Sequence, residues 1–198
     1  MAHYIEGIED KEALRNDFNK NFEGALRAQQ RLKTISAGQF QVATYENPLA
    51  CVSSLLRRNG LELNSLSTIV ADFVMVNERS GQGSAKIPSL YVLADNFAKD
   101  PSTFERVPLI IVYSGKPASE IITDPSFERW VKFAEKNPAN TPAIGYRGKT
   151  GDLQDDVIDL FRLVKRGDDA IRTSSLEEYR AQLHQEARTA RYLLKNLQ

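Results

Sequence analysis

The chain has 198 residues, 41% hydrophobic and 26% charged, and its acidic and basic side chains balance to a formal net charge of zero. That balance gives no global electrostatic pull toward nucleic acid or an acidic membrane. A single cysteine and two histidines near opposite ends exclude an internal disulfide and leave little for a zinc site or a Ser-His-Asp or Cys-His relay. The length suits one domain with an appendage. No apolar run reaches membrane-spanning length, and the N-terminal residues lack a signal-peptide pattern, so a cytoplasmic protein is expected.

In chain order, residues 3–9 read as a short strand. Residues 11–33 read as a helix, because Leu14, Phe18, Phe22, Ala25, Leu26 and Leu32 recur at near-helical spacing. Residues 40–45 alternate like a strand. Asn47-Pro48 opens a second helix carrying Leu49, Val52, Leu55 and Leu56, and Asn59-Gly60 is expected to end it. Cys51 falls on the apolar side of that helix and reads as a small buried hydrophobe. Residues 67–76 form one continuous apolar run broken by Asp72, the pattern of a strand buried on both faces. A charge there is costly unless it is paired or lies at the strand end. A polar, glycine-bearing loop follows from Asn77 to Lys86, then a helix from Pro88 to Ala98 and a strand over 107–113. Phe127, Trp130, Val131, Phe133 and Ala134 mark a helix, 141–147 a strand, and Asp152–Lys165 an amphipathic helix ending at Gly167.

The order is βα five times. This predicts an α/β fold, a (βα)5 doubly wound sheet of five parallel strands with an added C-terminal helix. Residues 1–166 form the domain, 167–174 a linker and 175–198 the last helix, with Ser175 and Glu178 placed as a capping box. Leu176, Tyr179, Leu183, Ala190, Leu193 and Leu197 lie near a heptad register interrupted by Glu186. The helix can therefore dimerise, dock a partner or pack back on the domain. Its arginines form no single basic face for DNA.

Four of the apolar runs stop at chemically capable residues: Glu9-Asp10, Asp72, Ser114 and Lys149. Ligands of parallel α/β sheets bind outside the carboxyl ends of the strands, so parallel neighbours would bring these residues into one crevice. Carboxylates gathered there repel one another, and a lysine or a hard cation offsets that repulsion.

Four segments, in order, resemble the receiver domain of two-component response regulators, whose fold is flavodoxin-like. The segment Ile5-Glu6-Gly7-Ile8-Glu9-Asp10-Lys11 is similar to the first strand and acidic pair. Thr68-Ile69-Val70-Ala71-Asp72-Phe73-Val74-Met75 is similar to the phosphoacceptor strand. Leu109-Ile110-Ile111-Val112-Tyr113-Ser114 is similar to the strand that ends in the switch hydroxyl, and Gly145-Tyr146-Arg147-Gly148-Lys149 to the strand carrying the switch aromatic and the lysine. The resemblance spans residues 3 to 166. It departs in its spacings of 62, 42 and 35 residues between Asp10, Asp72, Ser114 and Lys149, all longer than usual, and in Thr150, where the family usually has proline.

The resemblance implies that Asp72 accepts a phosphoryl group and that Glu9, Asp10, Asp72 and the Val74 carbonyl hold Mg2+. It implies that Lys149 and Ser114 contact the phosphoryl oxygens and that Tyr146 turns inward as Ser114 moves. The implied partners are a sensor histidine kinase or another phosphodonor, and an output partner or a second copy of the chain. The alternative is a receiver-shaped interaction module that never cycles phosphate. A third possibility, a nucleotide enzyme, lacks a glycine fingerprint. The loop Ser80-Gly81-Gln82-Gly83-Ser84-Ala85-Lys86 does not match a phosphate-binding loop and reads as a flexible loop beside the site.

Overall fold

The computed structural model describes residues 2–61, 65–77 and 85–196. The elements are β1 (His3–Ile8), α1 (Glu12–Arg31), β2 (Phe40–Tyr45), α2 (Pro48–Leu61), β3 (Leu66–Asp72), β4 (Val74–Asn77), β5 (Ala85–Pro88) and α3 (Ser89–Lys99). They continue with β6 (Leu109–Ser114), α4 (Ala118–Ile122), α5 (Pro125–Lys136), β7 (Ala143–Gly148), α6 (Leu153–Ile171) and α7 (Leu176–Asn196). A five-stranded sheet in the order β2-β1-β3-β6-β7 is parallel throughout. This is a flavodoxin-like α/β fold with an added C-terminal helix.

Alternation along the strands sends neighbouring side chains to opposite faces. Ile8, Ile69, Ala71, Ile110 and Val112 join Cys51, Leu55, Leu90, Leu93 and Trp130 on one face. Ile5, Val70 and Ile111 join Phe18, Phe22, Val157, Leu160 and Phe161 on the other. Helices cover both faces, so β6 reads as a continuous apolar run, while β1 and β3 also bury His3, Glu6, Ser67 and Thr68. Cys51 is fully buried, and burial pushes its thiol well above the ordinary value.

The apolar run after Leu66 is not one strand. β3 ends at Asp72, Phe73 bends into the core, and Val74–Asn77 pairs antiparallel with Ala85–Pro88 as a separate ribbon. The Ser89 backbone N–H donates to the Phe73 carbonyl at 3.0 Å, and the Ser89 hydroxyl donates to the Asp72 carbonyl at 2.5 Å. These bonds tie the start of α3 to the end of β3. The ribbon accounts for part of the long spacing between Asp72 and Ser114. The glycine-rich loop reading falls on 80–86, most of which lies outside the described residues.

Gly167 does not end α6, which runs on to Ile171, so the expected linker is shorter at its start. A Cβ on Gly167 would lie 3.0 Å from the Tyr179 hydroxyl, so the missing side chain serves close packing of α7. The capping box forms: the Ser175 N–H donates to Glu178 at 2.9 Å and the Glu178 N–H to the Ser175 hydroxyl at 3.1 Å. Beyond it, α7 packs back on the domain. The Arg180 side chain is buried and donates to the carbonyls of Phe104 (2.7 Å), Glu105 (2.8 Å), Val107 (2.9 Å) and Ala139 (3.3 Å). Burial pulls its guanidinium down to about 10, still charged at neutral pH. His184 donates to the Thr141 carbonyl at 2.8 Å.

At the opposite end of the sheet from the carboxyl ends, His3 hydrogen-bonds Thr68 at 2.9 Å and lies 3.6 Å from Asp168. Asp168 also accepts from Gln39 at 2.8 Å and Arg172 at 3.0 Å. Burial works against its charge, but contacts with His3, Gln39 and Arg172 outweigh burial and hold the carboxyl at about 2.

Two outcomes follow from these anchors. Arg180→Ala removes a buried charge-assisted anchor and strands several carbonyls, so urea unfolding should show a loss of about 3 kcal/mol. Limited proteolysis should then cut α7 first; unchanged stability would refute the anchoring role. Asp168 has a folded pKa below its unfolded one, so its stabilisation is complete above the unfolded value and disappears as pH falls through about 2. The stability gap between the native chain and Asp168→Asn should therefore shrink from pH 5 toward about pH 2. A constant gap would argue against the ionised role.

Candidate functional site

The carboxyl ends of β1, β3, β6 and β7 open on one side of the molecule. Glu9 lies just past β1, where its N–H donates to the Tyr45 carbonyl at 3.1 Å. Asp72 closes β3. Lys149 lies just past β7, and its N–H donates to the Ser114 carbonyl at 2.9 Å. The Lys149 ammonium stands 3.0 Å from Asp72 and 3.4 Å from Glu9. All three side chains are largely but not fully buried.

The charge balance at Glu9 is unfavourable. Burial, a hydrogen bond with Asp10 and the Asp72 charge raise its carboxyl to about 7, against the opposing effect of Lys149. Arg15, on the first turn of α1, steadies the backbone of the acidic pair. Its Nη1 donates to the Glu9 carbonyl at 2.8 Å and to the Asp10 carbonyl at 2.7 Å. Gly7 permits the approach of α1, because a Cβ there would lie 2.7 Å from the Phe18 ring.

Thr150, the departure from proline, has a structural role. Its N–H donates to Asp156 at 3.0 Å and its hydroxyl to the same carboxylate at 2.9 Å. Proline would supply neither donor. The Tyr113 hydroxyl adds a third bond to Asp156 at 2.7 Å. Burial pushes the Asp156 carboxyl up, but these donors outweigh it and leave it below its ordinary value. The turn after Lys149 is thus fixed to the first turn of α6.

Ser114 is buried one position beyond Tyr113, the register partner of Asp72. Its hydroxyl accepts from the Lys116 N–H at 3.1 Å. Tyr146 does not point into the crevice. It is partly exposed, and its hydroxyl donates to the Lys116 carbonyl at 2.6 Å. Val74 opens the β4–β5 ribbon, two residues beyond Asp72. The structure therefore brings together Glu9, Asp72 and Lys149, with Asp10 against Glu9 and Ser114 on the neighbouring strand end. Sequence reading missed the positioning roles of Arg15 and Asp156; the one signal for Arg15 was its place on the first helical turn after the acidic pair.

The donor chemistry suits Mg2+, which seeks carboxylate and carbonyl oxygens. Burial is the main cause of the raised Glu9 carboxyl, and the Asp72 charge, which a cation would offset, adds to it. Among the described residues, no three acidic, histidine or cysteine side chains converge closely enough to hold a metal as they stand. The Lys149 ammonium takes up the space between Glu9 and Asp72.

Fold and site together define a flavodoxin-like α/β protein with a carboxylate–lysine cluster at the carboxyl edge of its sheet. Neither the known protein-family models nor the curated proteins include a match to this chain. No helix among the described residues is long and apolar enough to cross a membrane.

Asp72→Asn should lower the Glu9 midpoint in a carboxyl NMR titration, because a repelling charge goes and Lys149 is left to Glu9. A midpoint that stays near 7 or rises would show that the two carboxylates do not share Lys149.

Proposed function

We propose that this chain is a response-regulator receiver-like signalling protein. Asp72 accepts a phosphoryl group with Mg2+ and thereby changes binding to a partner or to a second copy of the chain. The observation that carries this reading is the Lys149 ammonium 3.0 Å from Asp72, beside Glu9, at the carboxyl edge of a parallel sheet. A sensor histidine kinase or a small phosphodonor would supply the group, and the protein would work in the cytoplasm.

The chemistry is in-line displacement. An Asp72 carboxylate oxygen attacks phosphorus, the bond from phosphorus to the donor breaks, and the leaving group takes the bonding pair. Mg2+, held by Glu9, Asp10, Asp72 and the Val74 carbonyl, would supply the positive charge that lets two anions approach. Lys149 then shifts from the Glu9–Asp72 pair onto the phosphoryl oxygens. The Ser114 hydroxyl turns to donate to the same group.

That turn bears on Tyr146. The Ser114 hydroxyl is the acceptor for the Lys116 N–H, and the Lys116 carbonyl holds the Tyr146 hydroxyl outward. Withdrawing Ser114 frees Lys116, and with it the contact that keeps Tyr146 out. A local charge event is thereby passed to β7, beside α4 and α7.

A second reading, a receiver-shaped interaction module that never cycles phosphate, draws support from Lys149. Its pairing with both carboxylates is a complete ion cluster that needs nothing further to hold the strand ends.

Intact-mass analysis after acetyl phosphate and Mg2+ separates the two. One phosphoryl adduct is expected, absent in Asp72→Ala and absent without Mg2+. Folded protein with neither adduct nor beryllofluoride binding would leave only the interaction module.

A further inference from the structure

The crevice continues beneath the ion cluster as a cavity of about 190 Å³. Phe18, Val70 and Tyr113 make its buried wall, the more exposed Leu14 and Leu153 complete its apolar lining, and Glu9, Arg15, Thr44, Asp72 and Lys149 are its polar lining. A cavity of roughly 150 Å³ lined by Leu, Ile and Phe stays dry and admits benzene. One aromatic ring with one or two further atoms therefore fits.

The charge at this rim selects the head group. The Glu9 and Asp72 carboxylates share one ammonium, that of Lys149. The Nη1 of Arg15 is turned to backbone carbonyls. Lys149 is 27% exposed and sits on a flexible four-carbon stem, so it can move to solvent if another ammonium replaces it. An anionic head would meet the Glu9 and Asp72 carboxylates, with the one Lys149 ammonium already shared between them. A neutral head would gain ring burial alone.

We propose that this cavity binds a small aromatic amine. Its ring lies on the apolar interior beside Phe18 and Tyr113, and its primary ammonium replaces that of Lys149 between Glu9 and Asp72. Such a ligand occupies the space in front of Asp72 and blocks phosphoryl transfer. That consequence rests on the receiver reading; the binding itself does not.

The test is titration of the full chain with benzylamine, benzyl alcohol and benzoate, followed by amide NMR. Benzylamine should bind about fivefold more tightly than benzyl alcohol and about tenfold more tightly than benzoate, with shifts centred on Phe18, Val70 and Leu153. Leu153→Trp should fill the mouth from α6 and weaken benzylamine about tenfold. Leu14→Trp makes the same test from α1 should the first variant fold poorly. Lys149→Ala should tighten benzylamine about threefold, because the internal ammonium no longer competes.

Benzoate binding as tightly as benzylamine, weaker amine binding in Lys149→Ala, or full binding in a folded tryptophan variant would each overturn the proposal. If benzylamine binds as expected but acetyl phosphate never modifies Asp72, the receiver reading fails and the amine site stands. If Asp72 is modified but benzylamine does not bind, the amine site fails alone.

Discussion

The shared ammonium of Lys149 is the interaction on which the candidate site depends. Glu9 and Asp72 close adjacent parallel strands, and the sheet order leaves them little room to part. Burial is the main cause of the raised Glu9 carboxyl, and a hydrogen bond with Asp10 and the repelling Asp72 charge add to it. Without a positive charge among them, protonation of one is the cheapest relief. Lys149 supplies that charge from the far edge strand, through the register that places Gly148 beside Ser114. The cluster thus links β1, β3 and β7 at the end of the sheet where the helices begin.

A cation on a four-carbon stem positions nothing unless its backbone is fixed. Here three bonds converge on Asp156 from Tyr113 and Thr150, and the Lys149 N–H is held by the Ser114 carbonyl. Asp156 is a buried anion stabilised by donors, and it locks the β7–α6 turn. On the other side, Arg15 secures the carbonyls of the acidic pair. The charged groups of the cluster are therefore carried by a fixed backbone frame.

The frame was readable in the sequence where burial imposed a pattern. β3 and β6 are covered on both faces, so Ile69–Ala71 and Leu109–Tyr113 appear as apolar runs, and the residue that follows each, Asp72 or Ser114, marks the strand end. Glu9 and Lys149 follow the ends of β1 and β7 in the same way. The β4–β5 ribbon was hidden because Val74-Met75-Val76 is as apolar as β3 itself, and only the bend at Phe73 separates them. Gly167 misled because a glycine that ends a helix and one that admits a neighbouring tyrosine look the same in sequence. Arg15 and Asp156 were missed for another reason. Arg15 binds backbone atoms, and Asp156 binds Tyr113, which lies 43 residues away, so neither leaves a local motif.

The anchoring of α7 bears on what the edge of the sheet can do. Arg180 and His184 fasten the helix to carbonyls of the loops at the amino ends of β6 and β7, far from the carboxylates. Its next turns, with Leu183, Glu186 and Ala187, run past Tyr146 across a cavity of about 460 Å³. Beside that cavity, Arg166 of α6 pairs with Glu186 of α7 at 2.6 Å. Tyr146 lines this cavity from β7, and its hydroxyl donates to the Lys116 carbonyl. The Lys116 N–H donates to the Ser114 hydroxyl, and the Ser114 carbonyl accepts from the Lys149 N–H at the end of the neighbouring strand. The segment after β6 therefore joins the backbone of Lys149 on one side to Tyr146, and so to the cavity beside α7, on the other.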